Sequence, residues 1–177
     1  PGLGASAPLA LCCDSQLPGA SGGDATAQTR IGGTDVPVQA ITPTELGMLL
    51  KAITAFVGEL PKLEFGDSAS RASRLLTWRG AVNQAVQPAG PHLINWWQWV
   101  QQEAEGAHKL FLTTPIKYRE SIMPTASIPQ PWLQLESWMR PKLLEILPKD
   151  IRDWVNTRAR QGTIDPSHVL VFYLMKS

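Results

Sequence analysis

The stretch TPTELGMLLKAITAFVGELP, residues 42–61, decides the fold. It opens on Thr42 with Glu45 three residues later, a capping box in which each side chain satisfies the other residue's free backbone N–H. Pro43 takes the first helical position, where its missing N–H costs nothing. Apolar residues then recur at steps of three and four until Pro61, so the stretch predicts an amphipathic helix of about 17 residues.

The same helical period continues through the rest of the chain, and no segment shows the two-residue alternation of a β-hairpin. Pro141 falls inside one of these periods and is expected to kink or break its helix. The fold class predicted is all-α, a bundle of five to seven short amphipathic helices behind a disordered N-terminal tail. After the first helix, a second is predicted that is capped by Asp67, Ser68 or Ser70 and ends before Pro88. Others are predicted over about 92–112, 116–123, 131–147 and 149–160, with a last one capped by Asp165-Pro166.

The positions on the apolar stripes of these helices define a predicted core. Large apolar side chains at helical spacing are buried far more often than they are exposed. The side chains expected to be mostly buried are Leu49, Ile53, Trp78, Trp96, Val100, Phe111, Trp138 and Trp154.

Residues 1–40 have a different composition, rich in Gly, Ala, Ser, Thr and Pro without a sustained period. Such a segment buries too little apolar surface to offset its ordering entropy, so it is predicted to be a disordered tail. Residues 41–177 form the predicted helical domain. The chain begins with Pro1 rather than Met, and we expect a fragment that is also truncated at its C-terminus.

Overall composition excludes several classes of protein. A formal net charge of +1 argues against a strong electrostatic binder of nucleic acid. The two cysteines, Cys12 and Cys13, are adjacent and have no others to pair with, which fits a reducing, cytoplasmic environment. No apolar run approaches the roughly 18 residues of a membrane span, so no membrane partner is predicted.

No combination of residues points to catalysis. The three histidines, His92, His108 and His168, have neither the spacing nor the carboxylate neighbours of a metal site. Glu103 and Glu105 are two residues apart on a helix and therefore point in different directions. A phosphate-binding glycine loop is also absent from the sequence. We therefore predict no enzyme activity, no catalytic residue, no cofactor, no metal and no small-molecule substrate.

Aromatic and basic side chains give the remaining candidates for function. Trp96, Trp97 and Trp99 crowd one predicted helix. Because successive helical residues are rotated by about 100°, Trp96 and Trp97 can share the apolar stripe, while Trp99 lies at its edge or beyond. An exposed tryptophan there would anchor self-association, for which these three are the candidates; the alternative is that Trp99 packs under the loop from Pro124 to Pro131. Arg152, Arg158 and Arg160 form a modest basic cluster and are the candidates for RNA contact.

The phrase Leu60-Pro61-Lys62-Leu63-Glu64-Phe65-Gly66, followed by Leu76-Thr77-Trp78, resembles the start of the capsid-like region in Gag polyproteins of LTR retrotransposons. The family phrase has an aromatic residue where Leu63 stands. Later phrases, from His92 to Trp99, Arg119 to Ile122 and Trp138 to Leu144, resemble Gag-Pol-like reading frames of protist retroelements. The resemblance covers about residues 60–177.

This resemblance implies a non-enzymatic structural domain that self-associates weakly into particles around element RNA. It also implies that RNA is gripped mainly by a zinc knuckle outside these 177 residues. The alternative is a host helical adaptor domain that binds a partner peptide or helix in a groove.

Overall fold

A computed structural model describes residues 36, 38–56, 60–67 and 69–177 of the chain. These residues form six α-helices, and the first begins at the capping box of Thr42. Short 3-10 helices span Gln87–Ala89, Ile116–Ser121 and Gln130–Trp132. Within the described part of the chain there is no β-strand, so the predicted all-α fold is confirmed. The α-helices are α1 Pro43–Phe56, α2 Arg71–Val86, α3 Pro91–Thr113, α4 Leu133–Ile146, α5 Lys149–Arg160 and α6 Ser167–Lys176.

The start of α1 forms as its sequence predicts. The Thr42 N–H donates to Glu45 Oε2 at 2.8 Å, and the Glu45 N–H donates to Thr42 Oγ1 at 3.3 Å. The predicted disordered tail lies almost wholly outside the described residues, since residues 1–35 and 37 are not among them. Val36 is buried and Val38 packs against the core. Residues that contact the core therefore begin before residue 40, where the disordered tail was predicted to end.

The segment after α1 lies on the bundle as an extended connector. Leu60 and Leu63 are buried, and the Leu63 N–H donates to the Ile146 carbonyl at the end of α4, at 3.0 Å. The Trp78 indole donates to the Pro61 carbonyl at 2.8 Å. These bonds tie the connector to the middle of α2 and to the end of α4, and they satisfy polar groups of a loop that has no ladder of its own.

The centre of the bundle is α6, which packs most extensively against α3. Each residue from Ser167 to Leu174 is buried. A helix that is apolar around its whole circumference must be enclosed by others. Leu93, Trp96 and Val100 form the apolar stripe of α3 within the same core.

The predicted core is largely confirmed. Leu49, Ile53, Trp78, Trp96 and Val100 are buried, whereas Phe111 and Trp138 are only partly buried.

The prediction for Trp154 is wrong, because its side chain is 45% exposed. In α5 the apolar face is narrow: Ile151 and Val155, four residues apart, reach the core. Trp154 is rotated by about 100° from Val155 and rests at the rim against the Tyr173 ring, 4.3 Å away between centroids.

Pro141 does not break its helix. The α4 helix runs from Leu133 to Ile146 with the proline inside it. A proline removes one backbone donor, but Met139 and Leu143 on either side are buried and hold both turns to the core. Packing therefore outweighs the local cost of the proline.

Candidate interaction surfaces and a sealed polar core

The three tryptophans predicted to mediate self-association are all buried. Trp96, Trp97 and Trp99 are 0%, 1% and 1% exposed, so the prediction that they form a contact surface is wrong. The Trp97 indole donates to Asn83 Oδ1 of α2 at 2.6 Å. Trp99 packs against Trp132, 5.7 Å away between ring centroids, in the 3-10 helix at the end of the loop from Pro124 to Pro131. Neighbours on several sides enclose α3, so its buried surface is wider than one stripe.

One of the three arginines predicted to contact RNA, Arg158, is paired with an acid. Arg158 donates to both carboxylate oxygens of Asp165, at 2.9 and 3.2 Å, and its guanidinium lies 5.0 Å from the Trp154 ring centroid. This bonding raises the pKa of Arg158. Arg152 donates to the Glu145 carbonyl at 3.2 Å. Arg160 is exposed, and neither Arg152 nor Arg160 takes part in a salt bridge of the described residues, so RNA contact by these two stays a prediction.

Asp165 also differs from its predicted role as the cap of the last helix. No side-chain hydrogen bond caps α6 from the residues directly before it, because the Asp165 carboxylate binds Arg158 instead. The Asp165 backbone carbonyl accepts a hydrogen bond from Arg140 Nε at 2.6 Å. Asp165 thereby ties α4 and α5 to the start of α6.

The cap of α6 comes from a different helix. Glu136 of α4 is buried, and its Oε1 accepts from the Ser167 N–H at 2.7 Å and from the Ser167 hydroxyl at 2.8 Å. Its Oε2 accepts from the Trp96 indole at 3.1 Å. One carboxylate thus joins α3, α4 and α6, and it lies at the helix end where a negative charge is favoured.

Burial raises the pKa of the Glu136 carboxyl above its ordinary value. The hydrogen bonds from Ser167 and Trp96 and the nearby Arg140 guanidinium act in the opposite direction. Three hydrogen bonds to one carboxylate offset part of the cost of burying its charge.

Ser167 and Glu136 have the pairing of a nucleophile and a base, but the arrangement is that of a helix cap. Ser167 is 0% exposed, and the same carboxylate oxygen binds both its hydroxyl and its backbone N–H. His168, the next residue, directs its ring away to the Ala126 backbone and the Trp99 ring, 5.0 Å away between centroids. A substrate has no path to the hydroxyl without unfolding the start of α6.

The three histidines have separate surroundings. His92 lies 3.8 Å from a Glu45 carboxylate oxygen, and the His108 ring stacks on Phe111. His168 is buried, and this burial lowers its pKa to about 4. Among residues that the structure describes, no three His, Cys, Asp or Glu side chains are grouped so that they could hold a metal ion.

An apolar groove of about 480 Å³ opens between α2, α3 and the end of α6. Leu75 is partly buried, Leu174 is buried beneath it, and Leu76 is 65% exposed at the side. Arg79 and Glu105 form an ion pair along one edge. The groove is lined by Arg71, Ala72, Leu75, Leu76, Arg79, Glu105, His108, Lys109, Leu174, Met175 and Ser177.

Comparison with known proteins does not assign the chain to a family: no family model matches it, and neither a curated protein nor a solved structure is significantly similar. None of the helices in the described ranges has both the length and the apolarity to cross a membrane. Function must therefore be argued from the geometry of the surfaces.

Proposed function

We propose that residues 41–177 form a non-enzymatic, cytoplasmic structural domain of a Gag-like retroelement protein. In this proposal the domain self-associates weakly and builds particles that package element RNA. The resemblance of residues 60–177 supports the family, and the groove between α2, α3 and α6 supports the activity. The observation that carries the proposal is an apolar groove with a strongly exposed leucine, Leu76, on its own edge.

This arrangement is self-complementary. In a twofold contact the same surface meets its copy, so a protruding group and a recess must lie on one face. Leu76 provides the protruding group, and the recess over Leu75, Leu174 and Met175 lies next to it. Leu112 is one helical turn beyond His108 and 55% exposed, which extends the apolar face along α3.

Electrostatics allow such a contact. The net charge of the chain is only +1, so two copies repel each other weakly. The edge carries both signs of charge, with Arg79 paired to Glu105 and Lys109 close by. A small apolar contact is weak alone, and it becomes effective when many copies are held together.

Sedimentation velocity over a range of protein concentrations tests self-association. We expect the average mass of the wild-type protein to increase as its concentration is raised into the high micromolar range. The Leu76→Glu variant should remain monomeric at the same concentrations. Leu133→Glu is the matched control, because Leu133 is an exposed helical leucine, 44% accessible, that does not line the groove. Wild-type protein that stays monomeric, or equal loss of association in both variants, contradicts the proposal.

The host adaptor remains the alternative function, and the same groove supports it, since an amphipathic helix of a partner fits between two helices. The two functions differ in the chain that fills the groove. Selection from a peptide library would identify helical ligands of the wild-type domain. The adaptor is favoured over the particle if the wild-type domain is monomeric, binds such a ligand, and loses that binding in Leu76→Glu.

A further inference from the structure

Four cationic side chains lie on three segments, the end of α3, the Ile116–Ser121 helix that follows it and the end of α6. We name this region the basic corner; it comprises Lys109, Lys117, Arg119 and Lys176. The Arg119 guanidinium and the Lys176 ammonium each lie 5.3 Å from the ring centroid of Phe111, so two separate segments place their charges around one aromatic ring.

The charge of the basic corner is not neutralised by ion pairs. Salt bridges in the described part of the chain involve other cations, and none of these four side chains takes part in one. Glu105, the nearest acid along α3, is paired with Arg79. Glu120, the acid within the Ile116–Ser121 helix, forms no salt bridge with these four side chains. Arg158, in contrast, has its charge matched by Asp165.

An exposed aromatic ring lies within the basic corner. Tyr118 is 56% exposed, and the Lys117 ammonium is 4.7 Å from its ring centroid. The backbone around it is held in place, because Arg119 donates to the Thr114 carbonyl at 2.9 Å and to the Leu112 carbonyl at 3.1 Å. The Arg119 guanidinium and the backbone that carries Tyr118 are therefore held in place, whereas the lysine side chains are flexible.

We infer that the basic corner binds single-stranded RNA, with the cations on backbone phosphates and a base stacked on Tyr118. Unpaired cations next to exposed aromatic rings are the chemistry that single strands require, and they need no base sequence. The inference deepens the proposed function, on which it rests for the presence of RNA. It places RNA contact inside the domain and away from the arginines of α5.

An anionic membrane is the competing polyanionic partner, since Ile116 beside the ring is 80% exposed. Inserting Tyr118 into a bilayer would require the Lys117 ammonium to leave its place over the ring and reach back to the headgroups. A stacked base instead leaves the ammonium beside a phosphate. The positions of the charges thus favour RNA.

Fluorescence anisotropy with a labelled oligouridine of about 15 nucleotides tests the inference on the full chain. The triple variant Lys109→Ala, Lys117→Ala, Lys176→Ala removes the flexible cations and keeps Arg119, which has a structural role. The charge-matched control is Lys51→Ala, Lys62→Ala, Arg160→Ala, whose native side chains are exposed elsewhere. We expect at least a tenfold loss of affinity in the first variant and less than a threefold loss in the control.

Salt dependence separates phosphate contacts from stacking. Removing three phosphate contacts should reduce the slope of log affinity against log salt by about 2. Tyr118→Ala should weaken binding fivefold or more with an unchanged slope, and Tyr118→Phe should bind like wild type. Equal losses in both triple variants, no binding at low salt, or binding to phosphatidylserine vesicles without binding to oligouridine would overturn the inference.

Measuring RNA binding in the Leu76→Glu background keeps this test independent of self-association. If wild type is monomeric but the basic corner binds RNA, the assembly proposal fails and the RNA site stands. If the domain associates and RNA binding is insensitive to the basic corner, only the RNA site fails.

Discussion

The two ends of α6 lie in different surroundings although they belong to one ten-residue helix. Its start is sealed: Ser167 and His168 are buried, and Glu136 from α4 caps the helix. Its end is open: Met175 lines the groove, and Lys176 reaches the basic corner. The sealed end holds α3, α4 and α6 together, whereas the side chains of the open end are only partly covered.

This difference teaches how a small helical domain separates stability from recognition. At the sealed end the Glu136 carboxylate is bonded to Ser167 and Trp96 inside the core, so these groups are not offered to a ligand. At the open end Met175 is only partly buried, and Lys176 takes part in no ion pair of the described chain. Substitutions at the two ends should therefore fall into two classes, with large effects on folding at one end and on association at the other.

The largest effect on folding is expected from Glu136→Ala at the sealed end. The substitution leaves the Ser167 N–H, the Ser167 hydroxyl and the Trp96 indole without their acceptor, and buried donors without partners are costly. We expect a loss of about 3 kcal/mol or more in the free energy of unfolding, measured by urea denaturation. Glu145→Ala, at an exposed position of the same helix, should change it by no more than about 0.5 kcal/mol. Equal effects of the two substitutions would show that the carboxylate is not a structural cap.

A second effect at the sealed end is a dependence of stability on pH. Burial lowers the pKa of His168 from 6.5 to about 4, so the folded state favours the neutral ring. The corresponding stability is fully present above pH 6.5 and is lost as the pH falls toward 4. Glu136 has the opposite sign, because its raised pKa makes folding less favourable as the pH rises above its ordinary value of 4.5.

Comparison with His168→Gln isolates the histidine, because both proteins keep Glu136. Between pH 7.5 and 4.5 the wild type should lose about 2 kcal/mol more stability than the variant, by urea denaturation at each pH. Parallel curves for the two proteins would mean that His168 titrates normally in the folded state.

The sequence predicted the parts of this molecule that depend on local chemistry. The capping box at Thr42, the all-helical fold and burial of Leu49, Ile53 and Trp96 follow from residue spacing along a single helix. Trp154 was predicted wrongly because spacing does not reveal how wide a face the neighbouring helices cover. Trp99 is the reverse case, since Trp132 and His168 cover a side of α3 outside the expected stripe.

The polar core around Glu136 and the basic corner both depend on contacts between distant segments, and the sequence indicated them only weakly. Glu136 has Met139 and Leu143 three and seven residues later, so a carboxylate on an apolar stripe was the available signal for a buried acid. Arg158 and Asp165 could not be paired without knowing how α5 meets α6. The basic corner joins Arg119 and Lys176, which are far apart in the chain and meet only at Phe111.

The smallest effect on folding is expected from Leu76→Ala at the open end. The side chain is 65% exposed, so truncating it removes little buried surface, and alanine is at least as favourable in a helix. At low protein concentration the free energy of unfolding should change by no more than about 0.5 kcal/mol. Leu170→Ala in the middle of α6, where the leucine is 0% exposed, is the matched substitution and should cost about 2–5 kcal/mol.

Varying the protein concentration tests whether Leu76 at the open end contributes to association rather than to folding. Association of folded chains stabilises the folded state by mass action, so the wild-type melting temperature should rise with protein concentration. In Leu76→Ala the rise should be smaller, because the side chain that enters the partner's groove is shortened, while in Leu170→Ala it should persist on a lower baseline. Differential scanning calorimetry at several concentrations measures both. The opposite result would be a concentration-dependent increase in melting temperature that is lost in Leu170→Ala and kept in Leu76→Ala. Association would then depend on the core packing of α6 rather than on the groove, and the open end would not be the recognition surface.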